Sequence, residues 1–304
     1  MVYFRSLATV LVATLASFVQ RQDKLRVETH VNAGLSFNMV SSLIIGSEAA
    51  VLIDVPLAVS EANELAAWVR NTTDKPLVAV FTTHFHPDHY LSGGAFLEHF
   101  PTAKWKKTLG ADNIVSNTSI PTAYDHTFFT IPGNEGEHIE LVGLVSGDTV
   151  DETLFWIPST RTLIAGDTVY SHELHIWLAD LQTTALTSSW ISGLELIESM
   201  KPETIVAGHA LSVQGSTAQR NFPYSQSYLK FWQKNIEAKG LDFYTPEQIV
   251  DKFNSTFPGL MGNLVSATLL NITAGQFGKG GIRQYRGIYL PAYNNATYLE
   301  AWKI

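Results

Sequence analysis

His84-Phe85-His86-Pro87-Asp88-His89 packs three of the chain's ten histidines and one carboxylate into six residues. The run before it, Pro76-Leu77-Val78-Ala79-Val80-Phe81-Thr82-Thr83, predicts a buried strand. Leu91-Ser92-Gly93-Gly94 after it predicts the start of a helix. The cluster therefore falls on a loop at the C-terminal end of a strand, where open α/β sheets place their ligands. Imidazoles and a carboxylate at this density suit a borderline cation such as Zn²⁺. His84, His86 and Asp88 alternate, so an extended loop can aim them alike. His89 follows on the turn imposed by Pro87, so one stretch can serve two adjacent metal positions. A chance cluster is the other reading; it suits a lone histidine better than three together.

A His-x-His-x-Asp-His stretch after a strand resembles the motif of the metallo-β-lactamase fold superfamily. Leu163-Ile164-Ala165-Gly166-Asp167 is similar to the family strand that carries a metal-bridging aspartate. Thr204-Ile205-Val206-Ala207-Gly208-His209 is similar to the strand that ends in the last histidine. The resemblance covers residues 25–212 and implies an α/β fold, an αββα sandwich of two sheets with outer helices. It departs at one position. Where the family has a Gly-His turn before a hairpin, this chain reads Ser146-Gly147-Asp148-Thr149.

The resemblance then implies a first metal site of His84, His86 and Asp148. The second is Asp88, His89 and His209, with Asp167 bridging. The alternative for Asp148 is an ordinary turn residue, with His126 or His138 completing the first site. A carboxylate in place of an imidazole adds negative charge at the first metal and weakens its Lewis acidity. It also makes a two-His-one-carboxylate set of the kind favoured by non-haem Fe(II). Two zinc ions are the expectation, with iron or manganese as alternatives.

The implied activity is opening of a small lactam, lactone or ester by a metal-bridging hydroxide. Asp88 is its catalytic residue, orienting the water and passing a proton to the leaving group. Two other readings stay open: a mononuclear iron oxygenase of the same fold, and a non-catalytic metal-binding protein. His172 and His175 are expected on a loop bordering the site, to bind substrate or donate a hydrogen bond, with solvent-facing loop histidines as the alternative. Phe85, Tyr90 and Trp177 offer an apolar wall, with core packing as their alternative. No residue is assigned to substrate binding, and nothing in the sequence speaks to oligomeric state.

Lys and Arg number 20 against 28 Asp and Glu, a net charge of −8. The lysine group Lys104, Lys106 and Lys107 reads as a solvated strand edge. A nucleic-acid partner is disfavoured; a small-molecule substrate is expected. Residues 1–20 read as an export signal, with Arg5, the apolar run 7–16 and small residues at Ala16 and Ser17. An N-terminal anchor or buried helix is the alternative, but the run is short for a membrane span. Sequons at Asn71, Asn117, Asn254, Asn271 and Asn295 fit a secreted, extracellular glycoprotein with no stable membrane association after cleavage. There is no cysteine, so disulfides and thiolate ligands are both excluded.

Apolar runs predict strands over 26–31, 38–45, 50–55 and 138–145, and a helix over 61–70 with Ser60 as its cap. Helices are also predicted near 95–100, over 188–200, 224–239 and 259–270, and after the capping box Thr245-Pro246-Glu247-Gln248. Residues 112–119 belong to a central stretch. The organisation expected is a signal over 1–20, a catalytic domain over 25–212, and a helical extension over 213–304 packed on it.

Overall fold

A computed structural model of the chain describes residues 24–107, 122–181 and 183–280. The expected export signal over 1–20, residues 112–119, the sequons at Asn117 and Asn295, and the Gly- and aromatic-rich tail from Gly281 lie outside the described residues.

The first half runs β1 (Arg26–Asn32), β2 (Met39–Ile45), β3 (Ala50–Ile53), α1 (Val59–Thr72), β4 (Leu77–Phe81), α2 (Gly93–Glu98), β5 (Lys104–Lys107) and β6 (Thr122–Ala123). Its strands form one sheet in sequence order. β1, β2 and β3 are antiparallel neighbours, whereas β3, β4, β5 and β6 are parallel. The second half supplies β7 (Phe128–Phe129), β8 (Ile139–Val145), β9 (Glu152–Ile157), β10 (Thr162–Ile164), α3 (Thr184–Met200) and β11 (Thr204–Val206). These strands make a second sheet in the order β11-β10-β9-β8-β7. Four helices follow: α4 (Val213–Ser216), α5 (Asn221–Asn235), α6 (Pro246–Thr256) and α7 (Leu264–Phe277).

Strand side chains alternate between faces, and that alternation builds three cores. Ile44, Val51, Ile53 and Phe81 of the first sheet meet Phe155, Ile157, Ile164 and Val206 of the second. Leu43, Leu52 and Val80 face the other way, onto Ala62, Leu65 and Val69 of α1 and Phe96 of α2. Leu154 and Leu163 face away from the first sheet onto Trp190 and Leu194 of α3 and onto Tyr228, Trp232, Phe253 and Leu270 of α5–α7. The result is helix, sheet, sheet, helix, the layering the sequence predicts. Fully burying each such side chain contributes ~1.5–3 kcal/mol.

Several boundaries differ from the sequence reading. Helix α1 starts at Val59 after Ala58, with no side-chain cap, so Ser60 lies in its first turn. Helix α3 starts earlier than residue 188, because the Thr183 side chain accepts from Leu186 N. The helix expected over 259–270 is α7. Asn263 Oδ1 accepts from Val265 N and Ser266 N and fixes its start, and Gly259 sits at φ +88° before it. The lysines of β5 are not on a sheet edge, since that strand pairs with both β4 and β6. The capping box at Thr245 and Gln248 forms as read.

Candidate metal centre

The two sheets bring their loop ends together at one rim of the sandwich. The tie is direct: Thr153 N at the start of β9 donates to Thr83 O just past β4, at 3.0 Å. From β4 the chain enters the 84–89 stretch, whose Pro87–His89 part is a single 3-10 turn. Asp167 follows β10 in a similar turn, Gly166–Thr168. His209 lies just beyond β11, and Asp148 in the turn between β8 and β9.

These four segments place seven potential ligands in two groups. His84, His86, Asp148 and Asp167 form one, and Asp88, His89 and His209 the other, with ligand atoms in each group within 4.8 Å of one another. Asp167 touches both groups, since His89 Nε2 lies 3.4 Å from its Oδ1 and His209 Nε2 3.1 Å from its Oδ2. Asp88 Oδ2 is 3.5 Å from His209 Nε2. Asp148 stands beside both first-group histidines, 4.0 Å from His84 Nε2 and 3.3 Å from His86 Nδ1. His126 and His138, the alternatives to Asp148, lie elsewhere. His126 is exposed beside Asp125, and His138 stacks on Phe128.

Each of the four imidazoles uses its outer nitrogen on the protein, which leaves the inner one to serve a metal once it is deprotonated. His89 Nδ1 donates to Asp54 Oδ2 at 3.0 Å. The Thr83 hydroxyl donates to Asp54 Oδ2 at 2.9 Å, so it accepts from His84 Nδ1 at 2.9 Å. His209 Nδ1 donates to the Phe37 carbonyl at 2.8 Å. His86 is turned the other way, its Nε2 donating to Asp180 Oδ2 at 3.1 Å. Outer bonds of this kind fix tautomer and ring orientation at metal sites.

The inner atoms fit a cation. Among the described residues His84 Nε2, Asp148 Oδ1 and Asp167 Oδ1 are buried with no hydrogen-bond partner. A dry site does not leave such atoms unmatched without cost, and three acceptors aimed together ask for positive charge rather than a donor side chain.

The titration of the centre without metal reflects the same demand. Burial alone would lower the His89 pKa, but Asp167 and Asp54 outweigh it and hold it up at about 10. Burial also opposes the His86 and His209 cations, yet Asp148 lifts His86 well above its ordinary value and Asp167 raises His209. His84 goes the other way, kept neutral by burial and by the His89 charge. Burial pushes the Asp148 carboxyl up to about 7, against the pull of His86. Burial likewise raises Asp167, but His209 and His89 overcome this and hold it well below the carboxylate range.

Four supporting groups escape the sequence reading. Tyr170 is buried and stacks on His209, with its hydroxyl 2.7 Å from Asp167 Oδ2 and 2.9 Å from Asp148 Oδ2. Burial and the two carboxylates keep that phenol protonated, so it serves as a donor. Asp54 caps the apolar strand β3 at φ +65°; a lone acid ending an apolar strand is the one signal that marked it. Asp180 and the Phe37 carbonyl had no sequence signal. The loop histidines are corrected. His175 is fully buried against Tyr228 and Phe253, and burial lowers its pKa to about 4. His172 is held by Asn221 Oδ1 at 2.7 Å. Of the aromatics, Tyr90 belongs to the core under α1. Phe85 meets the His86 ring edgewise, and Trp177 donates to Asp180.

Gly208 lets β10 and β11 close on the centre. A Cβ there would fall 2.6 Å from the Gly166 carbonyl carbon and onto the Asp167 carboxylate. Gly208→Ala should therefore cost ~1–3 kcal/mol through overpacking and displace Asp167. Thermal melting together with elemental analysis checks this; unchanged metal content would contradict it.

The sequence model of the metallo-beta-lactamase superfamily matches residues 36–209, a span that contains all seven candidate ligands. Among curated proteins, metallo-beta-lactamase IND-1 of Chryseobacterium indologenes is 26% identical over 148 residues, 47% of this chain and 59% of that protein. The chain thus matches under two thirds of the length of that relative. A metallo-beta-lactamase structure from Pontibacter korlensis is 20% identical, covering 68% of this chain and 99% of that one, with a TM-score of 0.49. The DIM-1 metallo-beta-lactamase is 17% identical, covering 69% of this chain and 98% of that one, with a TM-score of 0.47. With its family match running from the loop before β2 to the last histidine of the centre, the chain belongs to the metallo-beta-lactamase superfamily.

Proposed function

We propose that this protein is a secreted hydrolase that uses two metal ions, zinc being the expected metal, to open a small lactam, lactone or ester. The observation that carries this is the pair of ligand groups sharing Asp167, with every imidazole presenting its inner nitrogen. His84, His86 and Asp148 would hold one ion and Asp88, His89 and His209 the other, with Asp167 between them. Metal ions bound there supply a nucleophile at neutral pH and an electrophile for the substrate carbonyl.

The chain's own residues do the rest. Tyr170 fixes Asp148 and Asp167 relative to each other through one phenol. Asp88, with its side chain 16% exposed, is the carboxylate of the centre nearest to solvent access after Asp180. It is placed to take a proton from the attacking water and deliver it to the leaving nitrogen or oxygen. The other groups are buried and keep bulk water from competing. Phe85, packed edgewise on the His86 ring, is an apolar group beside the centre that would suit an acyl substrate.

Export and glycosylation are part of the proposal. Asn71, Asn254 and Asn271 are exposed, and among the described residues no helix is long and apolar enough to cross a membrane.

The test is elemental analysis of purified protein, followed by a panel of lactams, lactones and aryl esters before and after chelation. About two zinc ions per chain and chelator-sensitive hydrolysis are expected. A single iron with no hydrolysis would instead favour the oxygenase reading, for which His84, His86 and Asp148 are the right ligand types. Metal without turnover of any kind would favour a binding protein.

A further inference from the structure

We propose that the helices beyond the superfamily match support the metal centre. In this arrangement α7 fixes the 171–181 segment, and Asp180 in that segment orients His86. The inference rests on reading the centre as metal-binding.

Three of the four histidines take their outer partners from the core sheet or from the loop before β2: Asp54, Thr83 and the Phe37 carbonyl. His86 alone takes its partner from elsewhere. Its Nε2 donates to Asp180 Oδ2, 94 residues away in sequence. The same oxygen accepts from Trp177 Nε1 at 2.7 Å. Two N–H donors on one carboxylate oxygen fix the carboxylate, and the carboxylate in turn fixes the ring. With Nε2 committed, Nδ1 is the nitrogen that faces Asp148 Oδ2, 3.3 Å away. The Asp180 side chain is 19% exposed and that of His86 10%, so the pair sits just inside the rim.

The 171–181 segment has no regular secondary structure to hold it in place. Its backbone is tied to α7 and α5 instead. His175 N donates to Ser266 Oγ at 2.8 Å, and Leu178 N donates to Thr273 Oγ1 at 3.1 Å. The Tyr224 hydroxyl donates to the Leu174 carbonyl. Ser266 and Thr273 are fully buried, so these bonds are sheltered from water. The family match ends at residue 209; Ser266, Thr273 and Tyr224 all lie after it. The extension thus reaches the metal centre through backbone bonds to the segment that carries Asp180.

Asp180 is a positioning residue, and its loss should act on one ion. In competition with a chromophoric chelator, Asp180→Ala should weaken the affinity for zinc at one of the two sites by roughly 10–100-fold and leave the other unchanged. Asp180→Asn keeps an acceptor and should lose less. Thr273→Val, which removes the anchor but no group near the metal, should shift affinity at the same site by a smaller factor. With Co²⁺ in place of zinc, Asp180→Ala and Thr273→Val should both alter the visible absorption of that site. The His86 Nε2 proton, visible by NMR in the zinc-loaded protein, should exchange faster in both.

Equal weakening at both sites would mean a general structural role and overturn the inference. So would Asp180→Ala protein with unchanged affinity, cobalt spectrum and proton exchange. In that case the metallo-hydrolase reading survives. Unaltered protein that binds no zinc would overturn both.

Discussion

Asp148→Ala protein should hold about one metal ion where about two are expected in the unaltered chain, and its hydrolytic rate should fall by more than the roughly 10–100-fold typical of losing an outer partner. The reason is geometric. Asp148 is 1% exposed and faces both first-group histidines. Its Oδ2 accepts from Tyr170, and its Oδ1 has no hydrogen-bond partner. Removing the carboxylate leaves His84 and His86 as the only first-group groups besides the shared Asp167. It also leaves the Tyr170 hydroxyl with Asp167 alone. Asp148→His should restore the second ion, because an imidazole supplies the missing lone pair. With one negative charge fewer, more of the metal's charge stays uncompensated, so the acidic limb of the activity profile should move to lower pH. Elemental analysis and pH-rate measurements on the three proteins check this. Two ions retained in Asp148→Ala would remove Asp148 from the ligand set.

The parts of this centre that were legible in the sequence share a property: they are local. His84 to His89 announce themselves because six adjacent residues carry four candidate ligands after an apolar strand. Asp167 and His209 are readable because each ends a short apolar run that, in its order and spacing after the first cluster, resembles a ligand-bearing strand of the family. Capping of α6 is readable because Thr245 and Gln248 are three residues apart. The outer partners are not local. Asp54 reaches His89 across 35 residues and Asp180 reaches His86 across 94; no periodicity or spacing links such pairs.

His175 shows the opposite failure. It lies eight residues past Asp167, on a loop that the sequence places beside the site. A neutral imidazole also packs as an aromatic ring, and Tyr228 and Phe253 drew it into the core. The start of α1 departs from its cap signal for a third reason. Ser60 is a good cap by type, but the chain enters the helix at Val59 with no side-chain cap at all.

Metal-free protein should lose thermal stability as pH rises from about 6.5 towards about 10. The folded His89 holds its proton up to about 10, against 6.5 for an unperturbed histidine. Its contribution is therefore complete below 6.5 and is lost as pH climbs through the folded pKa. His86 and His209 are raised and act with the same sign. The Asp148 carboxyl, raised by burial to about 7, and Glu152, raised well above its ordinary value by burial and by Asp148, also bind protons more tightly when folded. Ionising either one penalises the folded state.

His84, His175 and His30 oppose this. All three are lowered by burial, so they make stability rise with pH, but only below 6.5. Asp167 is ionised throughout. Above 6.5 the shifted groups of the centre therefore pull one way. Each excess proton held by the folded state is worth ~1.4 kcal/mol per pH unit, or about 2 °C in Tm for a chain of this size.

Bound metal reverses the slope, because its ligands must be deprotonated and its affinity grows with pH. The difference in Tm between loaded and chelated protein should therefore widen across the same range. Melting curves followed by circular dichroism at half-unit steps would measure both. A chelated protein whose Tm stayed flat or rose above pH 6.5 would mean that these carboxylates and imidazoles do not face one another in the dry pocket described.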